Sequence, residues 1–227
     1  VMEISPIAII DGCYPEKFGV PRQPRLVTSA TAWVRLVPPY RSMDFIDGLS
    51  QFSHIWLVFG FHQNKWQGDA KVRPQRLGGN QKMGVLATRS PYRPNGLGLS
   101  AVEIIQIDAD EVAIEIAGHD LVNGTPIYDI KPYIPFTDAI VTASTTFAAE
   151  APMMHAVSIH EDAVAIFDAL PSQTQALIKE VIGQNPRPVY HKKTNRIYGV
   201  SLGQWNVRFR WVEDHPEICG IEPLSTP

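Results

Sequence analysis

The first half of the chain reads as strands. Ile4 to Ile10 is a short apolar run. In 30–37, Ala32, Val34 and Leu36 alternate with Trp33 and Arg35, the two-residue period of a half-buried strand. His54 to Phe61 is continuously apolar and of strand length, which predicts a strand buried on both faces. Gly84 to Thr88 and Leu99 to Ile107 extend the pattern. Val112, Ile114 and Ile116 then alternate with Ala113, Glu115 and Ala117, a half-exposed strand. Asn123-Gly124 marks a tight turn before 127–136. Phe45, Ile46, Leu49 and Phe52 depart from this period. They fall at helical spacing behind a Ser42 cap and predict a short helix. Six or more strands with little helix predict a mainly β barrel or sandwich.

The pattern changes after Asp138. Residues 143–151 are small, polar and rich in Thr and Ser, a linker. Ala163, Ile166, Phe167 and Leu170 repeat with helical period, preceded by a Ser158/Glu161 capping box. A second helix carries Ala176, Leu177, Ile178, Val181 and Ile182 behind a Ser172/Gln175 box, with Gly183 to end it. Strands return at 196–202 and 205–212. In the latter, Trp205, Val207, Phe209 and Trp211 face one way and Asn206, Arg208 and Arg210 the other. This divides the chain into a β-barrel of 1–148 and a small C-terminal α+β domain of 152–227.

Composition narrows the partners. A hydrophobic content of 44% supports a real core. No apolar run approaches the roughly 20 residues that span a membrane, and Ile7 to Ile10 is too short for a signal-peptide core. Cys13 and Cys219 form neither a disulfide framework nor a zinc motif, which suggests the reducing cytoplasm. The net charge of −3 argues against a general polyanion binder. Its distribution argues the other way. Lys71, Arg73, Arg76, Lys82, Arg89 and Arg93 share one acid-free window. Arg187, Lys192, Lys193, Arg196, Arg208 and Arg210 share another. A basic face on an acidic protein marks a polyanion site, although solvated loops would carry the same charges.

The most distinctive stretch is Ala87 to Ser100, with Arg89, Pro91, Arg93, Pro94, Gly96 and Gly98 between two apolar runs. Proline and glycine give such a loop a specified shape. Its arginines suit bidentate binding of a carboxylate or phosphate, or simply surface ion pairs. Walker, dinucleotide-fingerprint, zinc-protease and Gly-x-Ser-x-Gly motifs are absent. His54, His62 and His119 are too scattered to predict a metal site. The loops at 21–24, 62–63, 89–99 and 120–126 each adjoin a predicted strand, so a barrel could gather them at one end. Asp120 could then hold an amine or ribose and Arg89 a carboxylate.

Several of these stretches carry a family likeness. They are Val20-Pro21-Arg22-Gln23-Pro24, Phe52 to Trp56, Phe61-His62-Gln63, Val72 to Pro74, Leu77 to Asn80, Ala87 to Gly98, Asp120 to Pro126 and Asp129 to Tyr133. Asn185 to Tyr190 and Asn206 to Arg210 continue it in the tail. The sequence resembles the TsaA-like, or TrmO-type, tRNA methyltransferases over nearly its whole length, with Asn185 where the family more often shows Asp. The resemblance implies an S-adenosylmethionine-dependent enzyme on a β-barrel rather than a Rossmann sheet. It implies a homodimer that methylates N(6) of threonylcarbamoyladenosine beside the anticodon of tRNA. It places cofactor contacts at Arg22, Gln23, His62, Gln63, Arg89, Leu99, Asp120, Leu121, Val122 and Asn123.

Methyl transfer to a carbamoylated amine gains from a base that removes its proton. Asp129, Tyr133, Asp138 and His62 are candidates for that role. Asn95, Arg93 or Lys131 would hold the threonyl carboxylate or carbamoyl oxygen. Arg187, Lys192, Lys193, Arg208 and Arg210 would grip phosphates, and Tyr92 and Tyr133 would stack on an exposed base. Two other readings use the same residues: a non-catalytic barrel that binds the cofactor or RNA, and a methyltransferase for a small-molecule acceptor.

Overall fold

The computed structural model describes residues 3–74, 81–188 and 196–224. Six strands close into a barrel: β1 (Ala8–Gly12), β2 (Thr31–Leu36), β3 (His54–Gly60), β6 (Leu97–Asp108), β7 (Ala113–Ala117) and β8 (Pro126–Pro132). The order around the wall is β1-β2-β7-β6-β3-β8, and every pairing is antiparallel. A short ribbon of β4 (Lys71–Val72) and β5 (Met83–Gly84) projects from the long connection between β3 and β6.

Alternation along each strand fills the barrel. Ala32, Val34 and Leu36 of β2 point inward with Ile55, Leu57 and Phe59 of β3, Ile114 and Ile116 of β7, and Ile127 of β8. Full burial of one such side chain stabilises the fold by about 1.5–3 kcal/mol. The 54–61 run is therefore not buried on both faces as its composition suggested. His54, Trp56 and Val58 lie on the outer wall and are half-buried, because a barrel strand has only one inner face.

Two other local expectations fail for backbone reasons. The 42–52 stretch is not one helix but two 3-10 turns, Met43–Phe45 and Leu49–Gln51. Gly48 separates them at φ +79°, and only Ile46 of the four apolar residues is buried. Residues 84–88 form the end of β5 and a 3-10 turn at Val85–Ala87 rather than a strand.

The C-terminal half holds β9 (Ser158–Ile159), α2 (Glu161–Asp168), α3 (Ser172–Gly183), β10 (Tyr198–Leu202), β11 (Trp205–Val212) and β12 (His215–Pro223), after a single-turn α1 (Pro135–Asp138). Its sheet runs β10-β11-β12-β9. β12 carries no clear strand pattern, because Pro216, Gly220 and Pro223 interrupt its alternation. Neither capping box forms. His160 caps α2, its Nδ1 accepting from the Asp162 amide, and Gln175 instead donates to the carbonyls of Asp168 and Leu170.

This half does not have a core of its own alone. Tyr14, Val27 and Ala30, from the β1–β2 connection, are buried among Phe167, Ile178, Ile182, Val200 and Phe209. The same connection is pinned by Glu180, which accepts from the Ser29 amide at 3.1 Å, and by Gln184, which donates to Leu26 O at 3.0 Å. Residues 13–30 thus leave the barrel, enter the second core and return.

Candidate active site

Barrel topology decides where the loops meet. In an all-antiparallel closed sheet, connections alternate between the two ends. The β1–β2 (13–30), β3–β6 (61–96) and β7–β8 (118–125) connections all leave one end, where β6 also begins. These three segments hold Arg22, Gln23, His62, Gln63, Arg89, Asp120, Leu121, Val122 and Asn123, and Leu99 lies at the start of β6.

Hydrogen bonds tie the three segments together. Arg89 donates to the Gln23 side-chain carbonyl, joining residues 66 apart in sequence. Lys17 Nζ donates to Gln63 O at 3.1 Å. Ser100 Oγ donates to Asp120 Oδ1 at 2.6 Å. The Gly12 amide donates to Asn123 Oδ1 at 3.0 Å, and the Asn123 amide to Tyr14 O at 2.8 Å. Gly124, at φ +78°, makes the expected turn beside His62. Leu121 is 1% exposed and its side chain fills the barrel. Leu99 is 55% exposed and points outward from the wall.

Asp120 is the electrostatic centre of this end. Burial raises its carboxyl from 3.8 to about 6, against the lowering effects of the Ser100 hydrogen bond, its own amide and nearby Arg89. Its neighbour His119 is fully buried and pushed down to about 4 by desolvation. The Leu121 amide donates to His119 Nδ1 at 3.3 Å, which leaves the proton on Nε2, 3.2 Å from Thr31 O. His119 is therefore a neutral strut. Cys13 Sγ lies 3.5 Å from the same Nε2, its thiol pushed up to about 12 by burial, so it is not a nucleophile. Ser100 and Lys17 were not anticipated. No local signal marks a serine whose partner lies 20 residues on.

The other expected residues fall on the outer wall and beyond. Val58 lies between Leu99 of β6 and Asp129 of β8, so all three share one row. Asp129 Oδ2 pairs with Lys131 Nζ at 2.9 Å. Asp138 Oδ2 accepts from Trp56 Nε1 at 3.0 Å and from the Ile134 amide at 2.8 Å, closing the turn of α1. Tyr133 packs between Trp56 and His54 at 5.5 and 6.3 Å. Arg93 donates to Thr88 O at 2.9 Å inside its own loop, while Tyr92 and Asn95 are exposed, Asn95 at φ +64°.

In the second half, Arg210 is bound to Glu217 at 2.6 Å and Arg208 lies 3.8 Å from Glu222. Arg187 has no carboxylate partner among the described residues. Lys192, Lys193 and the Leu77 to Asn80 and Val189-Tyr190 motif residues lie outside the described residues. No described helix is long and apolar enough to cross a membrane. Among the described residues no cluster of three or more His, Cys, Asp or Glu could hold a metal ion.

Known proteins resemble this chain in sequence and in fold. The chain is 42% identical over 230 residues to the tRNA (adenine(37)-N6)-methyltransferase of Escherichia coli (strain K12), covering 97% of this chain and 98% of that one. A Pseudomonas aeruginosa protein named provisionally as an S-adenosylmethionine-dependent methyltransferase is 40% identical over 224 residues, 96% of this chain and 95% of its own. The crystal structure of TrmO from Pseudomonas aeruginosa superposes with a TM-score of 0.81 at 32% identity, over 98% of both chains. Residues 9–139 match the tRNA-methyltransferase O N-terminal domain family and residues 152–224 the TrmO C-terminal domain family. With both of its halves matched in order, the chain belongs to the TrmO family.

Proposed function

We propose that this protein transfers a methyl group from S-adenosylmethionine to N(6) of the threonylcarbamoyladenosine beside the anticodon of tRNA. The observation that carries the reading is the joining of Gln23, Arg89, Asp120 and Ser100 at one barrel end in a chain of this family. The residues suit the cofactor. A carboxylate partly stripped of water favours a cationic ligand, and the amides of Gln63 and Asn123 with the backbone of 121–123 offer polar contacts for an adenosine. When bound, the cofactor supplies an electrophilic methyl group, so the protein's contribution is mostly orientation.

The acceptor side lies along the outer wall. Leu99 carries the site from the barrel mouth onto the row shared with Val58 and Asp129. Asp129, about 46% exposed, is the proton acceptor for the carbamoylated N–H, with Lys131 holding it in place. Asp138 is a positioning residue, because both of its hydrogen bonds hold Trp56 and the α1 turn. Arg93, Asn95 and Lys131 are the groups for the threonyl carboxylate and carbamoyl oxygen. A homodimer in the cytoplasm fits this reading, since Leu99, Phe136 and Val141 expose apolar surface that a second copy would cover.

Mass spectrometry of tRNA nucleosides after incubation with labelled S-adenosylmethionine tests the reaction. The expected product is threonylcarbamoyladenosine heavier by one labelled methyl group. Asp129→Asn should lower kcat by about 10²-fold or more, the usual size of a lost general base, with cofactor affinity kept. Label in a small molecule, or cofactor binding with no transfer, would support one of the other readings instead. Light scattering at micromolar concentration reads the dimer.

A further inference from the structure

We propose that the cavity between the β1–β2 connection and the second domain is a subsite for one unstacked nucleotide flanking the target base, with its phosphodiester on Arg187. The inference rests on the RNA substrate proposed above and adds a place for its neighbouring residue. The cavity holds about 280 Å³ and is lined by Arg22, Met153, His155, Gln184, Asn185 and Arg187 together with Pro152 and Pro188. Among the described residues, no acidic one lines it.

Arg187 is built to meet an anion. Its guanidinium lies 3.7 Å over the Trp211 ring, and its Nε donates to Asn185 Oδ1 at 2.8 Å. One face is stacked and one edge clamped, which leaves the Nη edge for a ligand. Arg35, Arg41, Arg208 and Arg210 all have carboxylate partners, whereas Arg187 has none among the described residues. Partial burial of the guanidinium costs free energy, seen as a lowered pKa that nearby Tyr198 only partly offsets, and a phosphate would offset that cost further. Asn185 holds the clamp from a left-handed backbone at φ +54°, a second cost at the same point.

The remaining lining suits a nucleoside more than a bare anion. His155 meets Trp211 edge-on at 4.9 Å and is fixed by its backbone N–H, which donates to Gly183 O at 2.8 Å. Met153, 74% exposed, offers a polarisable apolar rim for a base. Arg22 adjoins Gln23 of the active site, so the cavity and the barrel mouth are walls of one loop. A target base drawn out of the anticodon loop brings its neighbour's phosphate within reach of both.

Two measurements test this. Anticodon stem-loops bearing a single 4-thiouridine at successive loop positions are photocrosslinked to the full-length protein. The expected crosslink, from one position next to the target, lands within 152–155 or 184–188. It does so without catalysis, so a protein that crosslinks there yet transfers no methyl group would overturn the enzyme reading alone. Arg187→Gln should raise the tRNA KM on the order of tenfold and flatten the salt dependence of binding by about 0.7 in log–log slope, one single-strand phosphate contact. Its kcat and cofactor Kd should stay within about twofold of wild type. Arg187→Lys should restore the slope but not the KM, since charge returns without the stacked fork. Crosslinks that all fall elsewhere, or a wild-type KM and salt slope in Arg187→Gln, would overturn the subsite.

Discussion

At the scale of single residues, the site turns on two adjacent groups displaced in opposite ways. The folded pKa of Asp120 is raised from 3.8 to about 6, so the native state keeps a proton that the unfolded chain has lost. That costs stability as pH rises through this window, and the cost persists above it. The folded pKa of His119 is lowered from 6.5 to about 4, so here the unfolded chain gains a proton that the native state lacks. Stability falls as pH drops through that window, by on the order of 3 kcal/mol. The two slopes oppose each other between about pH 4 and pH 6. Asp120→Asn leaves the His119 slope uncompensated. The variant should melt higher than wild type at pH 7.5, lose stability faster below pH 6, and bind S-adenosylmethionine more weakly. Wild-type cofactor affinity should rise with pH up to about 6 and then level off. Parallel melting curves for wild type and variant from pH 4 to 8 would show that these groups do not have the roles given to them.

At the scale of elements, β8 and the α1 turn give two aspartates different surroundings. Asp129 and Asp138 are the same residue type nine positions apart, and the sequence left both as candidate bases. In the structure one faces Lys131 on the open wall, and the other takes two N–H donors on a single oxygen. Asp138→Asn retains an oxygen that can accept both bonds and should keep at least half of wild-type kcat. Asp138→Ala should lower stability by about 1–3 kcal/mol for each of the two N–H groups left unpaired. If Asp138→Asn abolishes transfer while its melting temperature is unchanged, Asp138 is chemical after all. Elements also account for the failed capping boxes and the missing 42–52 helix. Those signals are local, and Gly48, the β9 pairing of Ser158 and the placement of Pro171 override them.

At the scale of the whole molecule, residues 13–30 belong to both halves. Gly19, at φ +95°, lies against Val200 of β10 with no room for a Cβ. Gly19→Ala should therefore push the connection off the second core. Because Arg22 and Gln23 ride on that connection, cofactor affinity should fall on the order of tenfold at a site the new methyl group does not touch. Calorimetry of the wild type should give one cooperative transition rather than two, since Tyr14 packs in the second core and also meets His119 at 5.0 Å. Two well-separated transitions, with Gly19→Ala moving only one of them, would mean that the halves are independent.

Alternation, turn residues and motifs were enough to predict a strand-built first half, a helix-containing tail and the loops that meet at one barrel end. Period and backbone preference act over a few neighbours, so 30–37, 99–107, 205–212 and the Asn123-Gly124 turn were legible from the chain alone. What lay beyond it was every relation between distant segments. Barrel closure decides that 54–61 has one wet face, and antiparallel order decides that three loops share an end. Packing then decides that Ser100 meets Asp120, that Arg89 meets Gln23, and that Arg187 has no carboxylate partner among the described residues. Burial and electrostatics depend on which segments come together in space, and a linear pattern does not encode that until the sheet has closed.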